Sequence, residues 1–421
     1  MPFVAELALA ALVVACLGFT AWRFKVLGYL PHPFQSNPSE ALMDFYNNAY
    51  WAHRDGAYSI WRTVYLPVTF VLVRLWTTPS CYRISAYVAR DCDPLALAPI
   101  VACYVFNAVL VYLSYRNVDR RTALVRAIAV CVGLPMLYGL ELGNLIIPCF
   151  TAFVLAYGGL VRSRPVRWLF AALSINLKPY LLILMLPRLA ARRWRWVMGV
   201  CVAGISIYLV TYALEGVGSP IDIVRDLYAY AGGMPALYAA RNHLVTAVSP
   251  GLQAWNFIFP PLIHIGQIGV VACFAFSVTR PQGVDVGRFT TLILTLVCTE
   301  AALHTQGYSA DYTLIFMIFM ILGRAWEGPA GIWLVVCAYL LCMSVDHMFP
   351  PFVRNLAVSY WSKRLVVTQY GISVGQFVRP ALLIAAQYIL VGMTWTDLRR
   401  APKGPDGTPA AAGQLGREAR P

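Results

Sequence analysis

The stretch Leu95–Tyr115, LALAPIVACYVFNAVLVYLSY, holds no charged side chain and is followed at once by Arg116, Arg120 and Arg121. About 20 apolar residues in helical conformation cross the hydrocarbon core of a bilayer, where every backbone N–H and C=O must be bonded within the segment. The stretch reads as a membrane-crossing helix ending on a basic turn, and the same pattern recurs along the chain. Further blocks fit Leu7–Trp22, Ala123–Tyr138, Leu145–Leu160, Trp168–Leu177, Tyr180–Leu189 and Val197–Ala213. The remainder fit Phe257–Val278, Phe289–Leu303, Tyr312–Leu322, Ile332–Val345 and Pro380–Met393, giving about twelve crossings. Several are too short for a full bilayer, which implies tilted, kinked or half-embedded helices.

Composition agrees. Of 421 residues, 59% are hydrophobic and 12% charged, about half the usual 25% charge of a soluble domain. Soluble enzymes, secreted disulfide scaffolds and disordered proteins are excluded. The expected fold is an all-α polytopic membrane protein: one domain over residues 1–397, then a Pro/Gly/Ala-rich tail, 398–421, expected to be disordered. The formal charge of +14 is explained by topology rather than by nucleic acid. Short basic turns (Arg116, Arg120 and Arg121; Arg162, Arg164 and Arg167; Arg188, Arg192, Arg193 and Arg195; Arg280 and Arg288) mark one side as cytoplasmic by the positive-inside rule. Both termini then fall in the cytoplasm, and the N-terminal run, followed by Arg23 and Lys25 with no small-residue cleavage site, reads as an uncleaved anchor. The expected location is the plasma (inner) membrane.

Most of the eleven cysteines lie in or beside apolar spans as small hydrophobes. Cys81 and Cys92 share one non-cytoplasmic loop, and whether they pair depends on the redox state of that compartment. No Cys/His cluster has zinc spacing, no P-loop or HExxH occurs, and Asp91-Cys92-Asp93 lacks a second ligand set, so no metal and no cofactor is expected.

The non-cytoplasmic segments are long (23–94, 214–256 and 346–379) and mix aromatics, Gly, Pro and isolated charges, the character of an ordered working surface. The first, NPSEALMDFYNNAYWAHRDGAYSIWRTVYLP (37–67), starts with a capping Asn37, Pro38 and Glu40 at capping-box spacing, which predicts a helix over about 38–55. On it Asp44, Asn47, Asn48 and Trp51 share one face. A carboxylate there, just past the first span, can accept a proton from a substrate hydroxyl if its surroundings tune it. A solvated helix with an incidental Asp is the plainer alternative. Asn176-Leu177-Lys178-Pro179-Tyr180 interrupts an apolar run at its outer apex. Lys178 there suits a phosphate as a compact point charge, or else snorkels to the headgroups. Gly139-Leu140-Glu141-Leu142-Gly143-Asn144 is a third outer turn, in which Asn144 can hold a hydroxyl or an amide. Arg241-Asn242-His243 and the run from His304 through Tyr308 to Asp311 and Tyr312 complete the set, with His304 able to bind phosphate or carry a proton. Tyr46, Tyr50, Trp51, Tyr58 and Trp61 offer faces for sugar stacking, although Trp and Tyr also gather at membrane interfaces.

Together these pieces resemble the GT-C superfamily of membrane glycosyltransferases and are most similar to family 87, the polyprenol-phosphate-mannose-dependent type. The likeness rests on Asp44-x-Tyr46 with Gly56-x-Tyr58 and Tyr65-x-Pro67, on Gly143-Asn144 where that family often has Gly-Gln, on Lys178-Pro179 before Arg192-Arg193-Trp194, and on the late turn around His304 and Asp311. The resemblance implies a sugar, mannose as the commonest theme, moved with inversion from a polyprenyl-phosphate donor to a glycolipid or polysaccharide acceptor on the extracytoplasmic side. It implies Asp44 as general base, Lys178 and His304 with Arg241 or Arg62 at the donor phosphate, and Tyr46, Asn47, Trp51, Tyr58, Asn144, Asn242, His243, Tyr308 and Asp311 around the substrates. Two other readings stay open: a lipid or saccharide transporter, and an O-antigen ligase- or polymerase-like protein with a pyrophosphate-linked donor. The concentration of polar residues on one face favours the enzyme.

Overall fold

The computed structural model describes residues 1–34, 37–229, 250–304 and 311–400. Each of the twelve apolar segments is helical over most of its length, Tyr180–Leu189 largely as a 3-10 stretch. Among the described residues seven helical segments are long and apolar enough to cross a membrane: Phe3–Leu27 (α1), Pro94–Arg116, Ala123–Glu141 (interrupted at Gly133), Trp194–Glu215, Phe257–Thr279, Val286–Leu303 and Gly375–Arg400. The other segments form shorter helices, among them Ile146–Tyr157, Arg164–Leu177, Leu314–Leu322 and Gly328–Leu341. At 1.5 Å per residue, the 12 residues of Ile146–Tyr157 reach about 18 Å, well short of the roughly 30 Å core.

Close approaches explain where helices break. Between Ala123–Cys131 and Leu134–Glu141 the chain turns at Gly133, where a Cβ would lie 2.9 Å from Cys342 Cβ, and Leu134 N–H donates to the Cys342 carbonyl at 2.8 Å. Phe150, Phe153, Phe316 and Phe319 pack in tilted and edge-to-face pairs in the buried centre. Near the start of α1, Glu6 takes a bidentate pair of 2.7 Å bonds from Arg126, which also donates to the Leu322 carbonyl at 2.7 Å, and Tyr339 Oη–H donates to Glu6 at 3.3 Å. Four helices are locked together with the Glu6 and Arg126 charges matched.

The first loop departs from its expected form. Asn37 does cap, accepting from Ser39 N–H, but the helix expected over 38–55 is broken in two: a 3-10 turn, Pro38–Glu40, and α2, Met43–Ala52. The break lies at Leu42, in left-handed conformation at φ 67°. Arg90 donates to the carbonyls of Ser39 (2.7 Å) and Ala41 (2.6 Å), which captures backbone groups that a continuous helix would have used. Cys81 and Cys92 are joined by a disulfide that ties the loop to itself.

A second departure is a β-hairpin, Met348–Val358 (β1) and Leu365–Ser373 (β2), antiparallel with Leu356 opposite Val367 and Val358 opposite Leu365. The fold is mostly helical, in keeping with an all-α membrane protein, with this one hairpin added among the described residues. The hairpin is latched onto the first-loop side: Ser359 Oγ donates to the Gly28 carbonyl (2.6 Å), Lys363 pairs with Asp91 (3.0 Å), and Arg90 stacks 4.0 Å over the Tyr360 ring.

Candidate active site

The first turn of a helix leaves backbone N–H groups without internal partners. In α2 these are met by a distant turn: Leu42 N–H donates to the Glu141 carbonyl at 2.8 Å and Asp44 N–H to the Leu142 carbonyl at 3.1 Å. The turn comes this close because Gly143 adopts φ +63° and lacks a Cβ, which would meet Phe45 Cβ at 3.0 Å. Asn144 is fully buried behind it. Its Oδ1 accepts from Ile146 N–H (2.8 Å), which fixes the amide so that Nδ2 donates to Asp44 Oδ2 at 2.6 Å. Two of the segments picked out in the sequence are thus one structural unit.

The third joins them. Pro179 forces the residue before it out of helical conformation, and Lys178 is extended at φ −137°, ψ 93°, ending the helix Arg164–Leu177. Lys178 is 5% exposed, and among the described residues it has no direct ion pair. Its Nζ sits instead over two rings, 4.9 Å from the Tyr65 centroid and 5.4 Å from that of Tyr312. Cation–π contacts of this kind hold a desolvated ammonium without neutralising it. Asp311, where the late turn re-enters the described chain, accepts from Thr313 N–H (2.6 Å) and Thr313 Oγ1–H (2.5 Å).

The electrostatics make one field of these groups. Burial pushes the Asp44 carboxyl above the ordinary carboxylate range, and the Asn144 hydrogen bond and the charge of Lys178 pull part of the way back. Burial also raises Asp311, again opposed by its Thr313 bonds and by Lys178. The cluster therefore holds a base of raised affinity for a proton, a partnered amide and, among the described residues, the Lys178 cation, beside the Tyr65 and Tyr312 rings.

Other expected residues are placed differently. Tyr46 is fully buried with its hydroxyl donating to the Asp93 carbonyl at 2.8 Å. Tyr58 is buried against Phe70 and donates to the Tyr65 carbonyl at 2.8 Å. Both brace the loop from behind, so neither offers a face to a substrate: their rings are spent on packing and their hydroxyls on backbone. Asn47 is half-buried one turn along α2 from Asp44, and Trp51 stacks on Trp61 at 6.1 Å. Arg62 is exposed. Arg241, Asn242, His243 and Tyr308 lie outside the described residues, as does the side chain of His304, the last residue of helix Val286–His304. The sequence singled out neither Arg90, which shapes the break before Asp44, nor the ring faces of Tyr65 and Tyr312 as the seat of Lys178. The second had a signal in the Tyr-x-Pro and Asp-Tyr pairs; the first had none.

No protein-family model, no curated protein and no solved structure matches this chain. Among the described residues no group of three or more His, Cys, Asp or Glu is arranged to hold a metal ion.

Proposed function

We propose that the protein is an integral-membrane glycosyltransferase of GT-C type, with about twelve crossings, that moves a sugar from a polyprenyl-phosphate donor to a glycolipid or polysaccharide acceptor on the extracytoplasmic side. The observation that carries the reading is the convergence of Asp44, Asn144 and Lys178 from three distant segments into one polar cluster. In this reaction Asp44 takes the proton of the acceptor hydroxyl as its oxygen bonds to the anomeric carbon, and the bond from that carbon to the phosphate oxygen breaks. The electron pair leaves with the phosphate. Lys178, held by rings rather than by a carboxylate, meets the charge that develops there, a form of stabilisation often worth two to three orders of magnitude in rate. Asn144 keeps Asp44 oriented and favours its ionised form. Mannose is the first sugar to try.

The test is transfer by the purified protein in lipid, offered a panel of polyprenyl-phosphate sugars, with wild type beside Asp44→Asn. Transfer from one donor, lost in a folded variant, is expected. Transfer by both proteins alike removes Asp44 from the mechanism, and glycolipid binding with no transfer by either moves the transporter reading ahead.

A further inference from the structure

Away from Asp44, two adjoining cavities of about 200 and 180 Å³ share Arg23, Pro31, His32, Met348 and Gln369 in their walls. They form one slot between the last turns of α1 and the β-hairpin. Phe34, packed on Leu134, Tyr138 and Leu142, stands between this slot and the turn that carries Asn144.

The charges in the slot are unequally satisfied. Asp346 lies 3.1 Å from His32 Nδ1 and accepts from the backbone N–H of His347 (2.8 Å) and of Gly375 (2.7 Å), the latter at the start of helix Gly375–Arg400. Arg23 lines both chambers and, among the described residues, makes neither ion pair nor hydrogen bond. A guanidinium in that state has the planar donor set that suits a phosphate or carboxylate.

A separate observation says which anion is at hand. The hairpin turns its cross-strand apolar pairs outward, Leu356 with Val367 and Val358 with Leu365, and Leu356 and Leu365 are 70% and 66% exposed. Trp361 is exposed at the turn, Arg354 and Arg364 flank the face, and the neighbouring end of α1 exposes Phe19, Trp22 and Val26. Exposed apolar patches of this kind mark contact with membrane or protein, and continuity with a membrane-length helix decides for membrane. A two-stranded hairpin keeps unpaired edge groups, which hydrocarbon cannot satisfy, so its depth is that of the headgroups.

We propose that this slot holds the phosphodiester headgroup of an anionic phospholipid from the leaflet on the hairpin's side, with Arg23 on the phosphate. Gln369 offers an amide to headgroup hydroxyls, and the apolar hairpin face rests on the surrounding acyl chains. The proposal does not depend on the transfer reading, because binding is measured with no sugar donor present.

The experiment is native mass spectrometry of the full-length protein released from bilayers of phosphatidylcholine with a minor share of phosphatidylglycerol, comparing wild type with Arg23→Gln, Arg23→Lys and Gln369→Ala. Retained phosphatidylglycerol on the wild type is expected to fall about tenfold in Arg23→Gln, the loss of a charge-assisted hydrogen bond, and less in Arg23→Lys, with excess inorganic phosphate failing to displace it. Equal retention by Arg23→Gln overturns the site. Displacement by phosphate assigns it to a free anion, and equal retention of phosphatidylcholine removes the anionic selectivity. Should Arg23→Gln fail to give a folded monomer, Arg23→Lys and Gln369→Ala decide, and retention at wild-type level in both overturns the proposal.

Discussion

Two carboxylates in this protein, Glu6 fully buried and Asp44 half-buried, meet cations in opposite ways. Glu6 is closed: Arg126 clamps both its oxygens at 2.7 Å and Tyr339 adds a third donor. Asp44 is open: its nearest donor is the neutral amide of Asn144, and the cation in its field among the described residues, Lys178, rests on aromatic rings. A clamped pair has no chemistry left to offer and serves to hold helices. A carboxylate kept near a cation without being neutralised by it retains its affinity for a proton, and the cation keeps its attraction for an incoming anion. The difference lies first in the partners, and Asp44 also keeps some access to solvent where Glu6 has almost none.

The comparison breaks first at Asp44. Replacing it with Asn should lower transfer by at least about a thousandfold, the scale of losing a general base together with its orientation, while the thermal midpoint does not fall, because burial already opposes the charge. A drop in midpoint with activity retained would make Asp44 a second clamped carboxylate. Lys178→Gln should cost about a hundredfold or more in kcat. Recovery to wild-type rates in Lys178→Arg would argue for charge alone, whereas the ring seat favours a compact ammonium and predicts poor rescue. The clamped pair should behave in reverse: Arg126→Met leaves Glu6 buried without its partner and should cost about 3–5 kcal/mol of stability, read by thermal or denaturant unfolding in detergent, with kcat per folded molecule unchanged. The smallest effect concerns pH. Only ionised Asp44 can accept a proton, so kcat/KM should fall on acidification with a midpoint above the ordinary carboxylate range. Asn144→Ala removes a bond that favours the ionised form and should move that midpoint further up. A downward shift would reverse the role given to Asn144.

Much of this was legible in the chain. Apolar runs such as Leu95–Tyr115 declare helices because a bilayer leaves the backbone no other way to satisfy itself, and every such run is helical over most of its length. Asp44, Asn144 and Lys178 were legible one at a time, as polar residues interrupting apolar sequence. Their convergence was not, since it depends on Leu42 and Asp44 donating to carbonyls about 100 positions away, and backbone carbonyls have no sequence signature. The same holds for the broken helix before α2, where Arg90 outcompetes a well-formed capping box. Tyr46 and Tyr58 show a related limit: in sequence a Tyr that braces a loop and one that faces a sugar look alike until the partner of the hydroxyl is known. The hairpin left a trace in the β-branched run of Leu365–Ser373, which a search for helical spans passes over.

The docking of α2 on the Glu141–Asn144 turn also orders events in time. Synthesis delivers Asp44 early, while its amide partner, the carbonyls that seat its helix and the lysine that shares its pocket all follow later along the chain. A nascent or truncated polypeptide thus carries the carboxylate with nothing to aim it. The cluster comes into being only when well-separated stretches have found one another, so on the proposed reading completion of the fold acts as its own licence to operate.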